Sequence, residues 1–275
     1  MELTPAMKAE YSKEYSTHLN YAHCMVGMVH ELKILVPVDK SVGVDLKSIR
    51  RFHKLSKLTE KSIIGEIENI KLEPDYVQVV APWFAVKCYY RVYYLESILI
   101  HLNSGSMNVF KNSGHSYVRR TIRSYCKVGY YQTRLKHAEI VESYHKALLH
   151  KIDSGKNLKK DYYLTEECVK SVRRKLSEYS VEHWKKNSKF KYFRTKEAKS
   201  ALNDFLNNSE VCLFDFYYQM RIKANYRDSD FLDFDKILSE DGIKYISLLK
   251  NATDKYCSAL ERQIEVMLND RDLAL

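Results

Sequence analysis

The sequence predicts an all-α fold on three observations. Gly and Pro number only 8 and 4 in 275 residues, too few for the frequent reversals of a β protein. Leu, Lys and Glu are abundant, and apolar residues recur at three- and four-residue spacing over long segments. With 45% hydrophobic residues the chain can bury a sizeable core, and its length fits one domain or two tightly joined ones. Tyrosine is the outlier at 22 residues. Many rings fall in helical segments, as at Tyr89, Tyr90, Tyr93 and Tyr94, where they are expected to fill the core and lean their hydroxyls toward polar partners.

Thr4-Pro5 reads as a helix start, Thr4 capping and Pro5 in the first turn, with the helix running to about Leu35. His18, His23 and His30 lie on it without the i,i+4 spacing that would bring two imidazoles to one metal, and no metal or other cofactor is expected. Pro37 to Gly43 is a break. Asp45 to Leu58 and Thr59 to Leu72 read as two shorter helices, the second capped by Thr59, and the Glu73-Pro74-Asp75 turn closes this N-terminal section. The longest apolar region, Tyr76 to Leu102, is interrupted by Lys87, Arg91 and Glu96. It reads as a buried central helix, beginning at Ala81-Pro82 and stopping at Asn103-Ser104-Gly105, and not as a membrane span.

His115 to Val128 reads as a helix with Val118, Ile122, Tyr125 and Cys126 inward. Arg119, Arg120, Arg123 and Lys127 are read as outward, with His115 on the same stripe. No acid occurs from Ser97 through Ala138, so this basic face is uncompensated locally. Tyr130 to His150 is read as a further helix, and Thr165 caps the next, which runs to about Trp184. The chain then enters KKNSKFKYFRTKEAK, where Lys185, Lys186, Lys189, Lys191, Arg194, Lys196 and Lys199 interleave with Trp184, Phe190, Tyr192 and Phe193.

The net charge is +10, and eleven Lys or Arg against three Glu fall between Lys170 and Lys199. Cations for phosphates and flat rings for unstacked bases are what single-stranded nucleic acid requires. A loop docked on the bundle by its aromatics is the plainer reading of the same residues.

Thr195 starts a short helix. Asn208 to Leu232 is read as another, capped by Ser209, with Leu213, Tyr217, Met220 and Ala224 on one packing face. The neighbouring stripe carries Phe214, Tyr218, Arg221, Asn225 and Asp228, so three polar groups follow two rings. Such a cluster calls for an internal ion pair, from Arg221 to Asp228 or to an acid elsewhere, or for a site. Ser239 caps a last long helix to about Leu268.

Six cysteines, Cys24, Cys88, Cys126, Cys168, Cys212 and Cys257, stand alone without a CxxC pair. They point to a reduced, cytoplasmic protein with neither a disulfide framework nor a zinc site. No basic region followed by an apolar run opens the chain, so no signal peptide is expected.

Three pieces in order carry a family resemblance: the Tyr-rich helix AVKCYYRVYYLESILIHLNSG, the helix GHSYVRRTIRSYC, and MRIKANYRDSDF. Together they resemble the HEPN superfamily of prokaryotic helical domains, in particular a small branch with an Arg-x-x-Ala-Asp-Tyr-like signature. Here that signature is Arg221-Ile222-Lys223-Ala224-Asn225-Tyr226, with Asn225 where the branch often has Asp. The resemblance covers roughly residues 76 to 270. It divides the chain into an N-terminal helical extension, 1–75, and a HEPN-like bundle, 76–275, with a basic insertion around 150–200.

The resemblance implies an antiparallel helical bundle that often dimerises, handles RNA or nucleotides near the Arg helix, and serves toxin-antitoxin, phage-defence or CRISPR-associated systems. Many relatives are metal-independent endoribonucleases, in which an Arg holds the phosphate and a His, separated from it by four to six residues, moves a proton during attack by the ribose 2′-OH. No Arg of this chain has a His at that spacing. Tyr226 takes the place after Arg221, and a phenol with a reference pKa of about 10 is a poor base at neutral pH.

The expected function is therefore RNA or other nucleic-acid binding within such an antiviral defence or toxin-antitoxin assembly, without the family's RNase activity. Arg221 and Asn225 would hold phosphate. Arg119, Arg120, Arg123, Lys127, Lys185, Lys186, Lys189, Lys191 and Arg194 would add electrostatic affinity. One alternative is an endoribonuclease toxin using Arg221 with Tyr226 or His115. Another is a helical structural subunit that binds an acidic protein partner.

Overall fold

A computed structural model describes residues 19, 21–29, 32–111, 114–132, 194–207, 212–222, 224 and 239–275. Residues 21–29 are helical. In chain order there follow β1 (Lys33–Ile34), α1 (Leu46–Leu72), α2 (Tyr76–Ser104), a 3-10 turn (Met107–Phe110), α3 (Gly114–Lys127), β2 (Tyr131–Gln132), α4 (Lys196–Asn207), α5 (Leu213–Ile222) and α6 (Ser239–Asn269). Among the described residues the fold is all-α, as the composition predicts, apart from one two-stranded ribbon. No described helix is long and apolar enough to cross a membrane.

α2 is the axis. It is apolar on every side, and α1, α3, α5 and α6 all pack against it. Its three charged interruptions are each matched by a neighbour. Lys87 pairs with Glu66 of α1, and Arg91 with Glu60 of α1 and, at 2.6 Å, with Asp254 of α6. Glu96, fully buried, accepts hydrogen bonds from Tyr131 of β2 at 2.5 Å and from Tyr256 of α6. A charge or carboxyl in an apolar helix survives burial only with such partners.

Several boundaries differ from the sequence reading. α1 is one helix, not two. Thr59 is no cap, because its Oγ1 donates to the Leu55 carbonyl one turn back at 2.8 Å. The true cap is Asp45, whose carboxylate accepts the N–H groups of Lys47 and Ser48 at 3.0 and 3.2 Å. α2 begins at Tyr76, which places Pro82 inside the helix rather than at its start. Its end is as read: Gly105 adopts the left-handed conformation, φ 65°, and its N–H bonds to His101 O at 2.8 Å.

The first helix does not reach Leu35. Lys33 to Val36 alternate exposed and buried, the period of a strand, and Lys33 and Ile34 pair antiparallel with Gln132 and Tyr131. Residues Tyr130 to Gln132, read as the start of a helix, thus belong to a ribbon whose Tyr131 reaches Glu96. Gly129, at φ 81°, makes the turn out of α3.

Candidate functional site

α4 and α5 begin on side-chain caps. Thr195 Oγ1 accepts the Ala198 N–H at 3.2 Å, as the sequence predicts. At α5 the helix starts at Leu213, so Cys212, not Ser209, occupies the capping position. Its N–H bonds to the carboxylate of Asp215 three residues on, at 2.9 Å.

Asp215 is fully buried in an apolar run, and a lone carboxylate there would be costly. Arg123 neutralises it with two donors, Nε to Oδ2 and Nη2 to Oδ1, both at 2.9 Å. Arg119 Nε lies 3.4 Å from Oδ1. Two guanidinium groups thus share one carboxylate. This corrects the outward basic stripe expected on α3: the Arg119 and Arg123 side chains are only 15% and 23% exposed, because that stripe faces α5 and its buried acid. Arg120 and Lys127 are exposed, while Val118, Ile122 and Tyr125 face the core as read and Cys126 is half-buried.

Arg119 also lies over the Tyr218 ring, its Cζ 4.7 Å from the centroid. One turn along α5, Arg221 lies over two rings of α2, 5.1 Å from Tyr89 and 5.5 Å from Tyr90, with Nη2 3.4 Å from the Tyr90 hydroxyl. Tyr89 and Tyr218 are themselves neighbours, 6.2 Å between centroids. The two arginines are therefore joined by a continuous aromatic surface, in which each cation meets the negative face of a ring.

His115 enters the same cluster from the start of α3. Its ring lies 4.3 Å from that of Tyr93, and its Nδ1 is 2.7 Å from the Tyr89 hydroxyl. The expected outward position is not adopted: the imidazole is half-buried against α2. Burial, and then the charge of Arg221, push its pKa down to about 4. The ring is consequently neutral at pH 7. Burial pushes the Tyr89 phenol well above its usual range, with Arg221 acting against that shift, so Tyr89 stays protonated.

The structure thus brings Arg221, His115 and Arg119 to one aromatic cluster. Arg123 lies beside it on Asp215, and Arg194 is exposed at the head of α4. Tyr226, Asn225, Asp228, Lys185, Lys186, Lys189 and Lys191 lie outside the described residues. The sequence reading missed Asp215, although an acid inside Cys-Leu-Phe-Asp-Phe-Tyr-Tyr is itself a signal that a buried cation must come from elsewhere. Among the described residues no group of three or more His, Cys, Asp or Glu could hold a metal ion. The chain matches no family model, no curated protein and no solved structure.

Proposed function

We propose that the chain binds RNA or another nucleic acid through the Arg221 face, as the binding component of a HEPN-like defence, CRISPR-associated or toxin-antitoxin assembly. The observation that supports this is the position of Arg221 over Tyr89 and Tyr90, beside Arg119 over Tyr218. Guanidinium groups recognise phosphate oxygens in bidentate fashion, and flat rings accept bases without regard to sequence; Tyr89 is fully buried, so Tyr90 and Tyr218, both half-buried, are the rings that would meet a base. Arg120 and Lys127, exposed on α3, would extend the cationic surface.

The test is fluorescence anisotropy of the purified chain with a single-stranded RNA over a salt series. Affinity should fall as salt rises, and Arg221→Ala should weaken binding about tenfold while the helical circular dichroism is retained. Wild-type affinity in a folded Arg221→Ala protein would reject this face as the footprint.

One observation favours a second reading, a metal-independent endoribonuclease. His115 lies close enough to Arg221 for that charge to depress its pKa, and a neutral imidazole can accept a proton from a ribose 2′-OH. Arg221 would then hold the phosphate that His115 serves, each from its own helix. RNA cleavage that persists in chelator and is lost in His115→Ala would favour this reading; intact RNA would leave binding alone.

A further inference from the structure

The first half of α1 carries charge of one sign. Residues 46–59 hold Lys47, Arg50, Arg51, Lys54 and Lys57 with no acid, whereas residues 60–72 hold three Glu against two Lys. The ion pairs of α1 follow the same division. Lys57 pairs with Glu60 and with Glu261 of α6, Lys71 with Glu68, and Glu60 and Glu66 with Arg91 and Lys87 of α2. Among the described residues no acid pairs with Lys47, Arg50, Arg51 or Lys54, and all four are exposed. Arg50 Nη2 bonds the Ala274 carbonyl at 3.3 Å, a neutral acceptor.

Helix physics disfavours this arrangement. The positive end of the macrodipole lies at the start of α1, where acids stabilise and cations do not. The acid at that end, Asp45, is occupied in accepting the N–H groups of Lys47 and Ser48 and the Ser48 hydroxyl. Ile49 and Phe52 are buried. Lys47, Arg50 and Lys54, three and four residues apart, therefore form one outward row about 10 Å long with Arg51 on its flank.

Phe52 joins this part of α1 to the Arg221 cluster. Its ring lies 4.7 Å from that of Phe110 and 5.4 Å from that of Tyr94, and Tyr94 lies 5.9 Å from Tyr90, which Arg221 covers. Tyr90 and Tyr94 are half-buried. Lys111, exposed and next to Phe110 in the chain, adds a cation from a second element.

We infer that the outward row of α1 is a second contact for a phosphate backbone, and that the ligand is a single strand running from Arg221 past Tyr90 and Tyr94 to Arg51, Lys54 and Lys47. The inference rests on the nucleic-acid reading of the Arg221 face. Four unpaired cations complement a polyanion. A single strand can offer unstacked bases to half-buried rings while its phosphates meet the cations, whereas a duplex keeps its bases inside. The α1 row lies in residues 1–75, so this segment takes part in binding.

The test is fluorescence anisotropy of the full chain with a single-stranded RNA of about 16 nucleotides over a salt series. Lys47→Gln, Arg51→Gln and Lys54→Gln, combined in one variant, should weaken binding about tenfold and reduce the slope of log affinity against log salt by about 2. The substitutions are at exposed positions and remove cations from the start of a helix, so the urea midpoint should hold or rise. Wild-type affinity and slope in this variant, with binding lost in Arg221→Ala, would overturn the inference and leave the Arg221 reading standing. Binding weakened by the α1 variant but not by Arg221→Ala would overturn both, because the path would not pass Arg221. Duplex RNA bound as tightly as the single strand would overturn the choice of ligand. Competition by polyglutamate as strong as by RNA would assign the row to an acidic protein and overturn it too.

Discussion

Arg123 holds both carboxylate oxygens of Asp215, two N–H donors at 2.9 Å across 92 positions of sequence. The pair fastens α3 to α5 and so fixes the separation of the two helices that bring His115 and Arg221 to Tyr89. Its charges are largely out of water, which makes the consequence of removing one partner large.

Asp215→Asn should lower stability by about 3 kcal/mol, because two guanidinium groups lose the carboxylate that neutralises them in a partly buried junction. Urea unfolding monitored by circular dichroism measures this. A change within about 0.5 kcal/mol, the range of an exposed pair, would show that solvent screens the junction far more than its burial implies.

Glu96 gives the stability a pH dependence of definite sign. Burial pushes its pKa up to about 7 from 4.5, despite the hydrogen bonds from Tyr131 and Tyr256. The folded chain therefore keeps a proton that the unfolded chain releases. Stability from this group is complete below pH 4.5 and is lost as pH rises through about 7. Glu96→Gln should flatten that decline, seen as urea midpoints compared at acid and mildly alkaline pH. Equal declines in both proteins would assign the effect to another group. His115 acts in the opposite direction: its depressed pKa costs stability as pH falls from 6.5 toward 4.

The central place of α2 is legible in the sequence, since a helix apolar all round has no face to give to solvent. Its Lys87, Arg91 and Glu96 are legible as interruptions but not as pairs, because Glu60, Asp254 and Tyr256 come from elsewhere in the chain. The same limit hid the arginine junction. Helical spacing shows that Arg119 and Arg123 share a stripe, and is silent on which neighbour that stripe meets. Threonine favours the capping position, so Thr59 reads as a cap, but inside a helix its hydroxyl bonds back to the preceding turn. The strand at Lys33–Ile34 is too short for a period-two pattern to outweigh the helix before it.

Gly105 closes α2 in a conformation that other residues adopt at a cost. Its φ is 65°, and an added Cβ would lie 2.6 Å from Val42 Cγ1 and 3.2 Å from Gly43 O. Gly105→Ala should destabilise the chain by about 1 to 2 kcal/mol from the backbone alone, and further if Val42 cannot move. Thermal or urea unfolding reads the difference. A neutral result would mean that the segment around Val42 yields to the added methyl group.

Tyr89 separates the binding reading from the nuclease reading, because its ring and its hydroxyl serve different partners. The ring lies under Arg221, and the hydroxyl bonds His115 Nδ1 at 2.7 Å. Tyr89→Phe keeps the aromatic face and frees the imidazole. If the site only binds nucleic acid, the variant should hold single-stranded RNA within about twofold of wild type, since the cation and ring contacts persist. If His115 moves a proton, the loss of the hydroxyl that orients its ring should lower cleavage by about tenfold or more with little change in affinity. Anisotropy and cleavage measured on the same preparation give the two numbers. A large loss of affinity in Tyr89→Phe would count against both readings, because it would mean that the hydroxyl holds the cluster together and that the cation over the ring contributes little by itself.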